Sequence, residues 1–138
     1  MAGRRAAPTS LTVTLTTTGR RTGERRPVRL YAFPVGEDLV VVGSAGGAAR
    51  DPHWVANLRA DACVTVRLRR ETYAARAREV DGPEYDRLWR TVAERFPLYV
   101  AYQRRTVRRI PLFVLEAIGE HGRAAASRAW GGGRGLER

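Results

Sequence analysis

The chain has 138 residues, the length of one ordinary domain, and its 43% hydrophobic content suffices for one core but not for two. Its formal net charge is +11 and all the positive charge is arginine, so a P-loop, which needs a lysine, is excluded. Such a charge favours anionic partners: nucleic acid, acidic lipid or a polyanionic small molecule.

The first predicted element is a hairpin. Residues 11–18, dense in Thr, Val and Leu, predict a strand, and residues 27–35 predict the returning strand. Between them lies a turn with two glycines and four arginines, residues 19–26, which we call the arginine turn. Glycines let backbone amides approach a ligand and arginine donates paired hydrogen bonds to phosphate, so this turn predicts an anion site. A solvated basic hairpin tip is an equal alternative.

The middle of the chain predicts short elements in alternation. An apolar strand over 39–42 leads into a glycine-rich stretch, residues 43–51, which we call the glycine loop. Its end, Asp51-Pro52, predicts a helix start with Asp51 as the N-cap. Further predictions are a helix to residue 60, strands over 62–68 and 72–80, helices over 81–96 and 98–105, and a last strand over 110–115.

The ends of the chain differ in composition from its centre. Residues 1–10 predict a flexible basic N-terminus, and residues 118–138, rich in Gly, Ala and Arg, predict a disordered tail. The domain then covers residues 11–117. About six short, mostly antiparallel strands with two or three inserted helices predict an α+β fold that is mainly β, a small barrel.

Few groups suit acid–base, nucleophilic or metal chemistry. His53 and His121 are the only histidines and no cluster has metal-ligand spacing, so we expect no metal site. Ser44 lacks a nucleophile-elbow pattern, and the glycine loop is not a dinucleotide fingerprint. A cofactor that brings its own chemistry is therefore favoured. The flat faces of Tyr99 and Tyr102 suit a planar ring, with simple core packing as the alternative.

Three segments resemble the deazaflavin-dependent nitroreductase family, whose members use coenzyme F420. They are LTTTGRRTGERR at 15–26, GSAGGAARDPHWVANL at 43–58 and FPLYVAYQRRTVRRIPLFVLE at 96–116. The resemblance covers roughly residues 11–116. It implies a split β-barrel, and an oxidoreductase that transfers a hydride from the reduced deazaflavin to a quinone, a nitroaromatic compound or an activated enone.

The resemblance also implies roles for single residues. Those that match the turn around the cofactor's phosphate and acidic tail are Gly19, Arg20, Arg21, Thr22 and Arg26. Those that match the loop and helix beside the deazaflavin are Ser44, Gly46, Gly47, Pro52 and Trp54. Tyr99 and Tyr102 match tyrosines that line the acceptor pocket. We expect Tyr102, Tyr99 and Ser44, the candidate catalytic residues, to hydrogen-bond the acceptor's oxygen as negative charge develops there.

Two positions depart from the family pattern. Relatives commonly carry lysine at the position of Ala45, so either one cationic contact to the cofactor is missing or Arg50 replaces it. Arg29 stands in the second strand where proline is usual, which bears on cofactor affinity and pocket shape.

Other classes of function stay open at this stage. One is a non-catalytic protein that holds deazaflavin, FMN or a lipophilic ligand. A nucleic-acid binder is less favoured, because the arginines cluster beside a glycine-rich loop instead of on an aromatic sheet face. The lone Cys63, which we expect to be buried, fits a reducing cytoplasm, and weak peripheral membrane contact is an additional property that the basic ends allow. The oligomeric state is left open.

Overall fold

The computed structural model describes residues 10–133, and the predicted N-terminal segment falls almost wholly outside this range. The strands are β1 (Leu11–Thr18), β2 (Arg25–Val35), β3 (Asp38–Val42), β4 (Cys63–Leu68), β5 (Glu71–Glu79) and β6 (Leu112–Ala117). The helices are α1 (His53–Ala60), α2 (Gly82–Arg95), α3 (Leu98–Arg104) and α4 (Gly119–Trp130). A single 3-10 turn, Ala45–Gly47, lies in the glycine loop between β3 and α1.

The six strands form a closed barrel in the order β1-β2-β3-β6-β5-β4, with every neighbouring pair antiparallel. The last strand, β6, lies between β3 and β5, and β1 closes the barrel against β4. The predicted six-stranded, mainly β barrel is therefore confirmed. Three helices are inserted between strands, as predicted, and a fourth follows β6.

Two apolar layers explain the sequence patterns of the strands. Alternate residues of β1, β4 and β5 face the barrel interior, while β3 and β6 are apolar on both faces. The second face of β3 and β6 is covered by α2 and α3, which form an outer core with Phe33, Val40 and Leu112. A strand buried on both faces needs an unbroken apolar run, and LVVV and LFVL supply one.

A helix lies at each end of the barrel. At the end that carries the arginine turn, α1 inserts Trp54, Val55 and Leu58 into the interior core. At the opposite end, α4 inserts a set of small residues into the same core, namely Ala125, Ala126 and Ala129. Within residues 10–133, no helix is long and apolar enough to cross a bilayer.

The prediction of a disordered tail over residues 118–138 is wrong for its larger part. Residues 119–130 form α4, which ends at Gly131 in the left-handed conformation with φ of 91°. Alanine has the highest helix propensity, and the mouth of the barrel buries the alanine face of this helix. Arg69 donates a hydrogen bond to the carbonyl of Ala129 at 2.8 Å, which fixes the end of the helix to the β4–β5 turn.

Two local predictions are also corrected. Cys63 is exposed instead of buried, because the inward positions of β4 are taken by Val64 and Val66, and Cys63 falls on the opposite face. Asp51 does not cap α1: the helix begins at His53 with Pro52 as its N-cap, and the Asp51 carboxylate accepts hydrogen bonds from arginines 59 and 108 instead.

Candidate functional site

The arginine turn and the start of α1 enclose a cavity of 620 Å³, which we call the turn cavity. It lies at the end of the barrel, where inward-facing residues of β1 and β2 meet α1. Its walls are Thr17, Gly19, Arg20, Arg21, Thr22, Arg26, Pro27, Val28, Pro52, His53, Trp54 and Asn57. The floor is apolar and the rim is basic, a combination that suits a ligand with a ring system and an anionic extension.

The arginine turn is closed by its own backbone. The Gly19 amide donates to the Glu24 carbonyl at 2.7 Å, and the Gly23 amide donates to the Gly19 carbonyl at 2.8 Å. Gly23 has φ of 76°, in the left-handed region where glycine is favoured. The turn is therefore a defined structure that presents its arginine side chains from a fixed backbone.

Asn57 connects the arginine turn to α1. It is buried, with 4% of its surface exposed, and its amide nitrogen donates to the Thr17 hydroxyl at 3.1 Å. Its Oδ1 accepts two hydrogen bonds from Arg20, one from the backbone amide at 3.1 Å and one from Nη1 at 2.9 Å. Asn57 is not among the predicted site residues; its only sign in the sequence is a polar side chain between the apolar Trp54 and Leu58 of one helix.

The arginines of the turn cavity differ in whether their guanidinium groups have a hydrogen-bond or ion-pair partner. The Arg26 guanidinium contacts the Glu24 carboxylate at 3.1 Å, and Arg20 is held by Asn57 and by the His53 carbonyl at 3.4 Å. Arg21 has no partner among the residues that the structure describes. Three guanidinium groups thus face one carboxylate at this rim, which makes the local potential positive.

A second cavity, of 520 Å³, lies between the outer side of the β1–β2 hairpin and α3; we call it the aromatic cavity. Its walls are Thr12, Arg29, Leu30, Tyr31, Val42, Ser44, Ala45, Gly46, Phe96, Tyr99 and Tyr102. The two cavities follow one another along β2, since residues 26–28 line the turn cavity and residues 29–31 line the aromatic one. The glycine loop lines the aromatic cavity through residues 44–46, and the start of α1 that follows the loop lines the turn cavity through residues 52–54.

Tyr99 stands in the centre of the aromatic wall. Its ring contacts those of Phe33, Phe96 and Tyr102 edge-on, with centroid separations of 5.8, 4.7 and 6.2 Å. Burial raises the pKa of the Tyr99 phenol well above its usual value, and the neighbouring Tyr102 adds to the rise. Tyr99 therefore keeps its proton and remains a hydrogen-bond donor at any ordinary pH. Tyr102 is less buried, and the Arg105 guanidinium lies 5.5 Å from its ring centroid.

The glycine loop passes close to α3. Gly47 is buried, and a β-carbon added to it would lie 2.6 Å from the Tyr102 carbonyl oxygen, so no other residue fits without a shift. Ala45, Gly46 and Gly47 have φ values of 46°, 63° and 86°. Through this close approach and these backbone conformations, the loop forms one wall of the aromatic cavity.

The predicted site residues fall into two groups. The turn cavity brings together Gly19, Arg20, Arg21, Thr22, Arg26, Pro52 and Trp54, and the aromatic cavity brings together Ser44, Gly46, Tyr99 and Tyr102. Gly47 lies behind the aromatic cavity, and Arg50 is exposed and lines neither cavity. Lining residues that were not singled out include His53, Tyr31 and Phe96. Residues 10–133 contain no group of three or more His, Cys, Asp or Glu side chains that could hold a metal ion.

This chain is similar in sequence and in fold to known proteins. A family model described as F420H(2)-dependent quinone reductase matches residues 2–117. F420H(2)-dependent quinone reductases from two strains of Mycobacterium tuberculosis, CDC 1551 and H37Rv, are each 38% identical over 112 residues, which cover 79% of this chain and 74% of theirs.

Solved structures agree with the sequence comparison. An F420-H2 dependent reductase, FDR-A, has 32% identity and a TM-score of 0.71, and the match covers 82% of this chain and all of that one (100%). The heme storage protein HutZ from Vibrio cholerae shares the fold alone, at 17% identity and a TM-score of 0.62, over 78% of this chain and 82% of its own.

These findings confirm the resemblance inferred from the three sequence segments, and with it a deazaflavin oxidoreductase with coenzyme F420 as the cofactor, so the FMN alternative is not needed. By the family model over residues 2–117 and the identity to the two mycobacterial reductases, this chain belongs to the F420H(2)-dependent quinone reductase family.

Proposed function

We propose that this protein transfers a hydride from reduced coenzyme F420 to a quinone bound in the aromatic cavity. The observation that carries the proposal is the pair of cavities, one basic at its rim and one aromatic, which follow one another along β2. A cofactor with a ring system and an acidic tail matches the first, and a flat apolar acceptor matches the second.

The turn cavity fits the acidic part of the cofactor by the chemistry of its donors. Arg21 offers an unengaged guanidinium beside Arg20 and Arg26, and each charged hydrogen bond to phosphate contributes about 1.5–3 kcal/mol. The apolar Trp54 and Pro52 surfaces, next to the glycine loop, suit the deazaflavin ring. When bound, the reduced deazaflavin supplies the hydride; the protein's part is to orient the two reactants and exclude water.

The aromatic cavity carries hydroxyl groups where a quinone oxygen gains negative charge. Tyr102 and Ser44 line the cavity, and neither hydroxyl donates a hydrogen bond within the described residues. Tyr99 stays protonated because of its raised pKa. We assign these three groups to hydrogen bonding of the acceptor oxygen, which lowers the energy of the developing charge and leads to its protonation.

The same arrangement extends to other acceptors. A nitroaromatic compound or an activated enone also presents a flat apolar body and an oxygen that gains charge on hydride addition. The hydroxyl groups that receive a quinone oxygen would receive theirs, so we propose these compounds as further acceptors, with quinones preferred.

We further propose weak contact between the mouth of the aromatic cavity and the cytoplasmic face of a membrane. Tyr31, Leu98 and Val107 are exposed apolar residues on the cavity wall, at the start of α3 and in the segment after it. Arg104 at the end of α3, and arginines 105 and 109 in the segment that contains Val107, are exposed and suit anionic lipid. The protein should co-sediment with anionic vesicles but not with vesicles of neutral lipid, and Val107→Ser should reduce the fraction bound to anionic vesicles. Equal binding of the parent and Val107→Ser to anionic vesicles would refute this contact.

The first test of the proposed function is a fluorescence titration with coenzyme F420, with FMN as competitor, followed by a quinone reduction assay. Binding that weakens with salt and ignores FMN, together with quinone turnover, is expected. Binding without turnover of any acceptor would favour a non-catalytic carrier.

Tyr102→Phe should lower quinone turnover much more than affinity for coenzyme F420. The double variant Arg20→Gln with Arg21→Gln should instead weaken affinity for the cofactor. Equal losses of turnover and cofactor affinity in Tyr102→Phe would refute the role of Tyr102.

A further inference from the structure

The backbone of the glycine loop cannot hold its path alone. Three successive residues, 45–47, lie in the left-handed region, and the first of them, Ala45, is not a glycine. Inside the loop, backbone hydrogen bonds join only the Gly47 amide to the Ser44 carbonyl and the Ala48 amide to the Ala45 carbonyl, at 2.8 and 3.1 Å. The remaining support must come from another part of the chain.

The Gly43 amide donates to the Pro111 carbonyl at 2.9 Å, and most of the remaining support comes from the side chain of Arg108, in the segment between α3 and β6. Its guanidinium donates to the carbonyls of Ala48 at 2.8 Å, Gly43 at 3.1 Å and Ser44 at 2.7 Å. It also donates to the Asp51 carboxylate at 2.7 Å. Four of the five N–H groups of one side chain thus bind points spread over nine residues of the loop.

Arg108 is engaged by the protein and not available as a ligand contact. It lies outside the walls of both cavities and its side chain is 14% exposed. The loop that it holds places Ser44 in the aromatic cavity at one end, and leads into Pro52 of the turn cavity at the other. Arg108 therefore holds the segment that joins a wall of the aromatic cavity to the α1 start in the turn cavity.

We propose that Arg108 is a positioning residue for hydride transfer, which fixes the glycine loop so that the cofactor and the acceptor meet in a productive orientation. This inference rests on the proposed function. Lysine cannot replace arginine here, because an ammonium group is a single point and cannot reach four acceptors in different directions. Arg105 gives the loop one further hydrogen bond, to the Gly46 carbonyl at 3.2 Å, which is too little to hold both ends.

The test compares Arg108→Lys with the parent, and uses Arg70→Lys as a matched control. Arg70 is exposed in the β4–β5 turn at the opposite end of the barrel. In the protein without cofactor, amide hydrogen exchange over residues 43–51 should become about tenfold faster in Arg108→Lys. Exchange in the barrel strands should match the parent, and Arg70→Lys should behave as the parent throughout.

Kinetics separate positioning from a general loss of structure. Affinity for coenzyme F420 should stay within about threefold of the parent, because the arginine turn is untouched, while quinone turnover at saturating cofactor should fall by about tenfold or more. Unchanged loop exchange or unchanged turnover in Arg108→Lys would overturn the proposal. Equal losses in affinity and turnover would also overturn it.

If the parent protein does not bind coenzyme F420, the proposed function fails, and the positioning role fails with it even if the exchange result holds. If Arg108→Lys loosens the whole barrel, Asp51→Asn serves as the second variant, because it weakens the charged end of the contact and leaves the three backbone hydrogen bonds of Arg108. Faster exchange confined to residues 43–51 and a selective loss of turnover would support the proposal, and parent-like behaviour would contradict it.

Discussion

Asn57 shows how one buried polar side chain can organise a binding site. Each hydrogen-bonding atom of its amide group is used inside the protein, with Thr17 on one side and Arg20 on the other. Its contact with Arg20 joins residues 37 apart in sequence. No local pattern predicts such a contact, which explains why sequence analysis identified the arginines but not the residue that orients one of them.

Asn57→Ala should therefore reduce both stability and cofactor affinity. Loss of the buried hydrogen bonds should lower the free energy of unfolding by about 1–3 kcal/mol. Affinity for coenzyme F420 should fall by about tenfold as Arg20 loses its orientation. Thr17→Val is the control, because it removes only the bond to the amide nitrogen: it should lower the melting temperature and leave affinity nearly unchanged. An equal loss of affinity in both variants would contradict the role of Asn57.

Asp38 gives the protein a pH-dependent stability. Burial raises the pKa of its carboxyl to about 6 from a usual value of 3.8, and the nearby Glu116 adds to the rise. Because the pKa is higher in the folded than in the unfolded chain, protonation favours folding. This contribution is complete below pH 3.8 and is lost as pH rises through about 6.

Replacement of Asp38 by Asn should remove this dependence. The variant should melt above the parent at about pH 7.5, where the parent holds an ionised carboxylate in a half-buried position, and the difference should shrink at about pH 4.5. Thermal melts of both proteins across this range provide the measurement. A constant difference at all pH values would show that Asp38 is not the titrating group.

Two neighbouring glycines of the glycine loop differ in how much space surrounds them, and so in how well each tolerates a side chain. Gly47 has φ of 86° and its position allows no β-carbon, whereas Gly46 has φ of 63° with open space around it. Gly47→Ala should cost about 2 kcal/mol of stability or more and disturb the aromatic cavity, while Gly46→Ala should cost about 1 kcal/mol. Denaturant unfolding of the two variants checks the order, and equal losses would refute the packing argument.

Helix α4 lies where the sequence predicted a disordered tail, and substitutions of its alanines test whether this helix closes the barrel. Ala126 is buried in the barrel core and Ala124 is exposed on the same helix. Ala126→Glu should lower the free energy of unfolding by about 2–4 kcal/mol, because a charge would enter an apolar core, while Ala124→Glu should change it by less than about 0.5 kcal/mol. If the two variants have similar stability, α4 does not close the barrel.

The elements differ in how far the sequence predicts them. Strands β1 and β4 show apolar residues at every second position and β3 is an unbroken apolar run, so their bounds were predicted within one residue. The fully buried residues of helix α4 are alanines and Gly122, and Trp130 packs against the core only at the end of the helix. Because alanine and glycine are at most weakly apolar, this composition resembles that of a disordered tail. The barrel mouth that buries it is formed by strands distant in sequence.

The charge of the whole molecule is distributed unevenly. Six carboxylates within residues 10–133 pair with arginine, as in Arg59 with Glu79 and Arg78 with Glu84. The net charge of +11 therefore comes from the remaining arginines, among them Arg21 in the turn cavity. Self-repulsion of this size destabilises the folded state and is screened by salt.

Stability should accordingly depend on the identity of the anion as well as on ionic strength. Sodium chloride should raise the melting temperature by screening, and phosphate at equal ionic strength should raise it by about a further 3 °C, or about 1 kcal/mol, by binding in the turn cavity. Arg21→Gln should remove the extra effect of phosphate, and Arg70→Gln should keep it. An equal response to both salts in the parent protein would exclude phosphate binding there.

The order of strands in the barrel has a consequence for how the chain folds as it is synthesised. Strand β6 is the last to be made, yet it lies between β3 and β5. Until it leaves the ribosome, those two strands each expose one edge without a hydrogen-bonding partner. The hairpins β1–β2 and β4–β5 can form early, but the barrel and both of its cavities can be completed only after translation has passed Ala117.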